Sequence, residues 1–243
     1  MRACRMADAF REPVVPELNQ IIESIRGELS RKNEVRDATL SRSRELIRLC
    51  SLSIRAIHRH EWEEAAQLLA SARSAASVMS ADLVAYPDLK EAGYTQDALK
   101  ELTEAHVVYA FVRNQTLPAP DELGVPAAAY LNGLAEAASE LRRYILDLIR
   151  LDETALGEPY LSLIDEVYSH LITIDFPDAL TGGLRRTTDM LRGVLERTRG
   201  DLTVAVRQEE LQAALSALDS KLLTTSTPAE IVEGQGDGSP TGA

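Results

Sequence analysis

The chain has 243 residues with 26 Lys+Arg against 38 Asp+Glu, a net charge of −12. Hydrophobic residues make up 45 % and charged residues 26 %, which excludes wholesale disorder. Two cysteines, Cys4 and Cys50, exclude a disulfide scaffold and a cysteine-based zinc site.

No run of about 18 apolar residues is present to cross a membrane. The N-terminus has no long apolar stretch behind its arginines, so a cytoplasmic location is expected. The charge argues at first against a polyanion partner, but 22 of the 26 cations are arginine and nine of the 26 fall between Arg26 and Arg59. A local cationic face survives an acidic average.

Helical periodicity runs through the whole chain, with no period-2 stretch or hairpin signal. Pro13 and Pro16 precede a pattern through Ile21, Ile22 and Ile25, and a second pattern runs from Arg31 to about His60. A third, alanine-rich, spans Glu61 to Met79, with Trp62, Ala66, Leu69 and Ala76 on one face. Pro87 and Gly93 interrupt, and Thr95 is the expected cap of a helix reaching Arg113. After Leu117-Pro-Ala-Pro120, a long helix is expected to start at Pro126 and run to about Ala155. A shorter helix follows Gly157 and Pro159 and ends at Asp175-Phe-Pro177. Two last helices, Ala179 to Arg199 and Leu202 to Leu223, are expected to hinge at Gly200.

These elements predict an all-α, single-domain bundle of about seven helices. The expected organisation is a partly helical segment over 1–30, the bundle over 31–223, and a disordered tail over 224–243.

The chemistry-bearing residues are few. Four histidines without an HExxH pattern disfavour a histidine metal site or a Ser/His/Asp triad, and no glycine-rich phosphate cradle occurs. Glu101 and Glu104, three apart, share a helical face with Ala105, Val108, Phe111 and Val112. Carboxylates in line with an apolar stripe call for a compensating cation or hydrogen bonds, whereas in the first two turns of a helix they can simply be solvated and favour the helix dipole. Glu136 and Glu140, four apart, lie with Asn132, Ser139, Arg143 and Asp147, opposite Leu134, Ala138, Leu141, Ile145 and Leu148. That pattern is also what an ordinary solvated face looks like.

The connection between the two helices is short, so they are expected to be antiparallel neighbours. Facing carboxylates would then line an oxygen site for a hard cation, Mg²⁺ or Mn²⁺. Separately, Arg44, Arg48, Arg55 and Arg59 fall within about 60° of one another on a helix, a stripe about 22 Å long that can follow a phosphate backbone or pair with nearby acids such as Glu45 and Glu61.

At these residues a family resemblance enters. Leu99-Lys-Glu101-Leu-Thr-Glu104-Ala-His-Val-Val-Tyr109 and Tyr130-Leu-Asn-Gly133-Leu-Ala-Glu136-Ala-Ala-Ser-Glu140-Leu-Arg-Arg143 resemble the corresponding helices of the translin superfamily. The resemblance covers roughly Arg31 to Leu222. Leu99 to Ala105 is similar to the LQEYVEA-like segment of the translin-associated factor X branch, and its four acids fall on Glu101, Glu104, Glu136 and Glu140. Glu136 stands where that branch has Asp, while Ala138-Ser-Glu-Leu141 is worded as in translin.

The resemblance implies a helical subunit of a hollow octamer that binds single-stranded RNA or DNA inside its shell. On the factor X side it implies a Mg²⁺-dependent endoribonuclease, and prokaryotic-type relatives look like single-gene homo-oligomers. The four glutamates are then the expected catalytic and metal-binding residues. Translin's basic segment corresponds here to Tyr94-Thr-Gln-Asp-Ala-Leu99, which has no basic residue, so nucleic-acid contacts are expected from Arg44, Arg48, Arg55, Arg59 and Arg143. The alternatives are a non-catalytic nucleic-acid-binding oligomer, as in translin, and a helical assembly protein with solvated acids.

Overall fold

The computed structural model describes residues 15–225. Cys4, Pro13 and the expected tail from residue 226 onward lie outside them. Among the described residues the regular structure is nine α-helices and one 3-10 turn, without a strand. Six helices are long: α1 (Val15–His58), α2 (Trp62–Asp82), α4 (Gly93–Val112), α6 (Ala127–Arg150), α7 (Gly157–Leu171) and α9 (Leu184–Thr225). Single-turn helices α3 (Pro87–Lys90), α5 (Pro120–Leu123) and α8 (Asp178–Thr181) form where proline presets the first turn or the residue before it.

Two expected breaks are absent. The patterns before and after Arg31 belong to one continuous helix, α1. The shift between them marks a change in what covers the helix. Ile21, Ile22 and Ile25 are exposed, whereas Leu46, Cys50 and Ile57 are completely buried. Gly200 lies inside α9 and makes no hinge. A mid-helix glycine costs about 1 kcal/mol, and buried Leu191, Leu195, Thr198 and Leu202 hold the helix on both sides of it. Thr95 is not the cap of α4 either: the cap is Ala92, and the Thr95 hydroxyl donates to the Leu89 carbonyl at 2.8 Å. In α2 the buried face is Ala65, Leu69, Ala72, Ala76 and Met79, so Ala66 falls outside it.

Helix direction follows from the cross-helix contacts. The α1–α2 turn is tight, and Ser43 reaches back to Met79, so those helices are antiparallel. The α4–α6 pair is parallel, not antiparallel. Residues at the start of both helices, Gln96 and Asp97 with Ala127 to Ala129, line one cavity, while Glu136 further along meets Lys100. The reason is the connection over 113–126, whose proline-rich stretch and α5 travel back along the bundle before α6 begins. α9 in turn runs parallel to α6, with Thr187 bonded to Asn132 and Arg142 paired with Asp201.

The core has two lobes. One gathers Leu46, Cys50, Ile54, Leu69, Met79, Leu99 and Leu102, and the other Ile57, Val108, Leu141, Ile145, Ile164, Leu191 and Leu195. Tyr109 packs against both. Each buried leucine contributes about 1.5–3 kcal/mol relative to exposure. Between the lobes, α4 and α6 approach closely at Gly133. A Cβ there would lie 2.6 Å from the Lys100 carbonyl oxygen and 2.6 Å from the Thr103 Cβ, so only glycine lets the backbones meet. That contact sets the register of the acids.

Candidate metal centre

Glu101 and Glu104 leave α4 on the side facing α6, and Glu136 leaves α6 toward them. One carboxylate oxygen from each of the three lies within 4.8 Å of the others. All three residues are half-buried. Glu140 stands one turn further along α6, roughly 6 Å of helix rise beyond Glu136. Its Oε1 lies 2.7 Å from Nε2 of His58, at the end of α1. The structure therefore brings together three of the four expected acids and places the fourth beside them, on a histidine.

The electrostatics show a crowded site. Burial, then the carboxylates of Glu101, Glu136 and Glu140, push the Glu104 carboxyl up to about 8, with Lys100 opposing. Burial also raises Glu101, against Lys100 and with Glu136 and Asp97. Lys100 places its Nζ 2.8 Å from Glu136 Oε1 and 3.9 Å from Glu101 Oε1. Burial disfavours its charge, but the Glu136 hydrogen bond and the surrounding acids outweigh burial and raise its pKa. Behind the site, burial followed by Glu101 and Glu104 pushes the Cys50 thiol up to about 12, which makes it inert packing.

The donor set fits a hard divalent cation. Three carboxylate oxygens converge without a sulfur or nitrogen in the group, and a carboxyl held near 8 by burial and by its acidic neighbours is what a cation would relieve.

The arginines divide in two. Arg48 is 2.7 Å from Glu45, and Arg59 hydrogen-bonds Glu61 at 2.6 Å. Arg44 and Arg55 are exposed without a carboxylate partner among the described residues. At 100° per residue the stripe lies about 40–100° around α1 from His58, alongside the acidic centre. Arg143 is exposed, 4.0 Å from Glu140.

Two residues at the centre escaped the sequence reading. His58 continues the Ile47, Ile54 face of α1, a signal that it points inward. Lys100 carried no signal, because its partner Glu136 is set by the α4–α6 register. Beyond the centre, His60, Tyr144 and Tyr160 form an aromatic group at the end of α6, with Tyr144 and Tyr160 edge to face at 5.0 Å.

No family model matches the chain. An uncharacterized protein of Methanocaldococcus jannaschii is 30 % identical over 207 residues, covering 85 % of this chain and 90 % of the relative. The AfC3PO crystal structure is 32 % identical with a TM-score of 0.68, covering 77 % of this chain and 97 % of that one. AfC3PO in its duplex RNA complex gives 31 % and 0.66 over the same shares. Apo-NeC3PO, 19 % identical with a TM-score of 0.69 over 76 % and 96 %, shares the fold. Among the described residues no helix is long and apolar enough to cross a membrane. The likeness across nearly the full length of these relatives, together with the acid-bearing motifs, shows that the chain belongs to the C3PO family of the translin superfamily.

Proposed function

We propose that the chain is the subunit of a homo-oligomeric, divalent-cation-dependent endoribonuclease acting on single-stranded RNA. The observation that carries this reading is the convergence of carboxylate oxygens from Glu101, Glu104 and Glu136 within 4.8 Å. These three residues would hold Mg²⁺ or Mn²⁺, with Glu140 completing the acidic set. When bound, such an ion supplies water activation and charge stabilisation at a phosphodiester. The protein's part is to orient the carboxylates on two helices locked at Gly133, and to present Arg44, Arg55 and Arg143 to the phosphate backbone. The RNA complex of AfC3PO supports RNA as the ligand class.

Assembly is supported by two exposed apolar stripes. Leu18, Ile22, Ile25 and Leu29 on α1, and Leu211, Leu215, Leu218 and Leu222 on α9, repeat at alternating steps of four and three residues. That is the spacing of a coiled-coil seam, and both stripes are exposed among the described residues. The resemblance to the translin superfamily supports an octamer as the assembly. The Leu215→Asp, Leu218→Asp double variant is expected to shift sedimentation toward smaller species.

The deciding experiment is cleavage of a labelled single-stranded RNA with Mn²⁺ or with EDTA, beside the Glu104→Gln protein. Cleavage that needs the metal and is lost in the variant supports the reading. RNA binding without cleavage in either protein moves it to a non-catalytic binding oligomer.

A further inference from the structure

The ammonium of Lys100 sits inside the acidic centre, not at its edge. It hydrogen-bonds Glu136 Oε1 at 2.8 Å and approaches Glu101 Oε1 at 3.9 Å, and its side chain is 23 % exposed. It therefore bridges two of the three carboxylates whose oxygens converge. No other lysine or arginine is paired with any of those three acids among the described residues. On its outer side, Lys100 lines a cavity of about 440 Å³ together with Glu136, Asn132, Arg186 and Thr187. Asn132 is tied down, donating to the Ala128 and Thr181 carbonyls and accepting from Thr187, so the wall opposite the lysine is rigid.

We propose that Lys100 is the resident second cation of this centre, in the position between Glu101 and Glu136 that a second divalent ion would otherwise bridge, so that the centre holds a single divalent ion per chain. The inference rests on the metal reading above and deepens it. Two-ion phosphodiester sites use two positive centres about 3.5–4 Å apart to stabilise attacking and leaving oxygens. Fully ionised, as a bound cation would make them, four carboxylates balance two divalent ions, but with the ammonium present they carry a net of three negative charges. One divalent ion then leaves a single negative charge. A second ion would have to displace Lys100 from a half-buried hydrogen bond, and it would meet like-charge repulsion in a site where screening is weak. Opening onto the cavity, the ammonium would offer a fixed positive charge to a phosphate oxygen. Lysine acts as a point charge on phosphate in this way elsewhere.

The test is Mn²⁺ titration of the full chain by calorimetry and by the paramagnetic signal of free Mn²⁺, comparing the wild type with Lys100→Met and Lys100→Arg. The wild type and Lys100→Arg are expected to take one Mn²⁺ per chain. Lys100→Met is expected to take two, or to bind the first at least tenfold more tightly. Lys100→Arg guards against a folding defect, since it keeps the charge, and matched thermal melts check all three proteins. Two ions in the wild type, or the same stoichiometry and affinity in Lys100→Met as in the wild type, overturn the proposal and leave the metal reading standing. Absence of Mn²⁺ binding in all three proteins overturns the metal reading itself. One ion in the wild type with the Lys100→Met change, but no RNA cleavage, upholds Lys100 and removes the nuclease reading.

Discussion

His58 Nε2 and Glu140 Oε1 lie 2.7 Å apart, joining the end of α1 to the middle of α6 across residues that are 82 positions apart in sequence. The His58 side chain is 4 % exposed, and its Nδ1 is buried without a hydrogen-bond partner. Facing a carboxylate oxygen, which accepts, Nε2–H is the donor. The bond holds Glu140 by its Oε1.

The first prediction concerns that bond. Partners that orient metal-ligating groups are worth about 10–100-fold in metal affinity or activity. His58→Ala is expected to weaken Mn²⁺ binding about tenfold and to lower kcat. His58→Gln, which returns an N–H near the Nε2 position, is expected to recover most of the loss. Equal affinities in wild type and His58→Ala, read by calorimetry, would remove His58 from the centre.

The second concerns pH. The Glu104 carboxyl titrates at about 8 in the folded protein, against an ordinary value of 4.5. Between those values the folded state holds a proton that the unfolded state has lost. In metal-free protein the stabilisation is complete below about 4.5, declines as pH rises, and is exhausted near 8. The decline is at most about 1.4 kcal/mol per pH unit for this one group. Urea midpoints in EDTA at pH 5.5 and pH 8 measure it. Glu104→Gln is expected to flatten the dependence, and Mn²⁺ to raise the pH 8 midpoint of the wild type only. A wild-type midpoint that does not fall between the two pH values contradicts the burial argument.

The third concerns Gly133. A Cβ placed there meets a backbone oxygen and the Cβ of buried Thr103, neither of which can rotate away. Overpacking of this kind costs about 1–3 kcal/mol. Gly133→Ala is expected to fall at the upper end of that range. Because relief comes by moving α4 off α6, metal affinity should drop with stability. A variant that loses stability but keeps the wild-type affinity for Mn²⁺ shows that the centre does not depend on this close approach.

The fourth separates the arginines. Arg44 and Arg55 are exposed and unpaired among the described residues, whereas Arg48 and Arg59 already neutralise Glu45 and Glu61. Removing one phosphate contact reduces the salt slope of binding by about one. Filter binding to single-stranded RNA across a salt series is expected to show this reduction for Arg44→Ala and Arg55→Ala. Arg48→Ala and Arg59→Ala should show a smaller change. Equal effects from all four would mean that the ion pairs open on binding.

Most of the helices were legible before any coordinates, because periodicity and proline positions are local properties. Ala138, Leu141, Ile145 and Leu148 of the expected α6 face are buried, with Leu134 half-buried at its edge, and the turn at Asp175-Phe-Pro177 and the start at Pro126 stand where the pattern puts them. The misplaced features have a common cause. A glycine at 200 and a change of stripe near Arg31 look like breaks when only local preference is counted, and tertiary packing overrides both. Asn132, taken with a solvated face, is buried because α9 and the α8 turn close over that side of α6.

By itself the sequence determined the all-helical class, the acids as the chemistry to watch and the family to which the chain resembles. Those depend on composition and on spacings within one helix, where 100° per residue fixes relative direction. Which acids meet was decided only in three dimensions. Parallel α4 and α6, in the register that Gly133 permits, put Glu136 beside Glu101 and Glu104 and carry Glu140 one turn past them to His58. The same register delivers Lys100 to Glu136. Helix direction and register are set by the path of the connection and by packing between distant segments, and neither leaves a periodic trace along the chain.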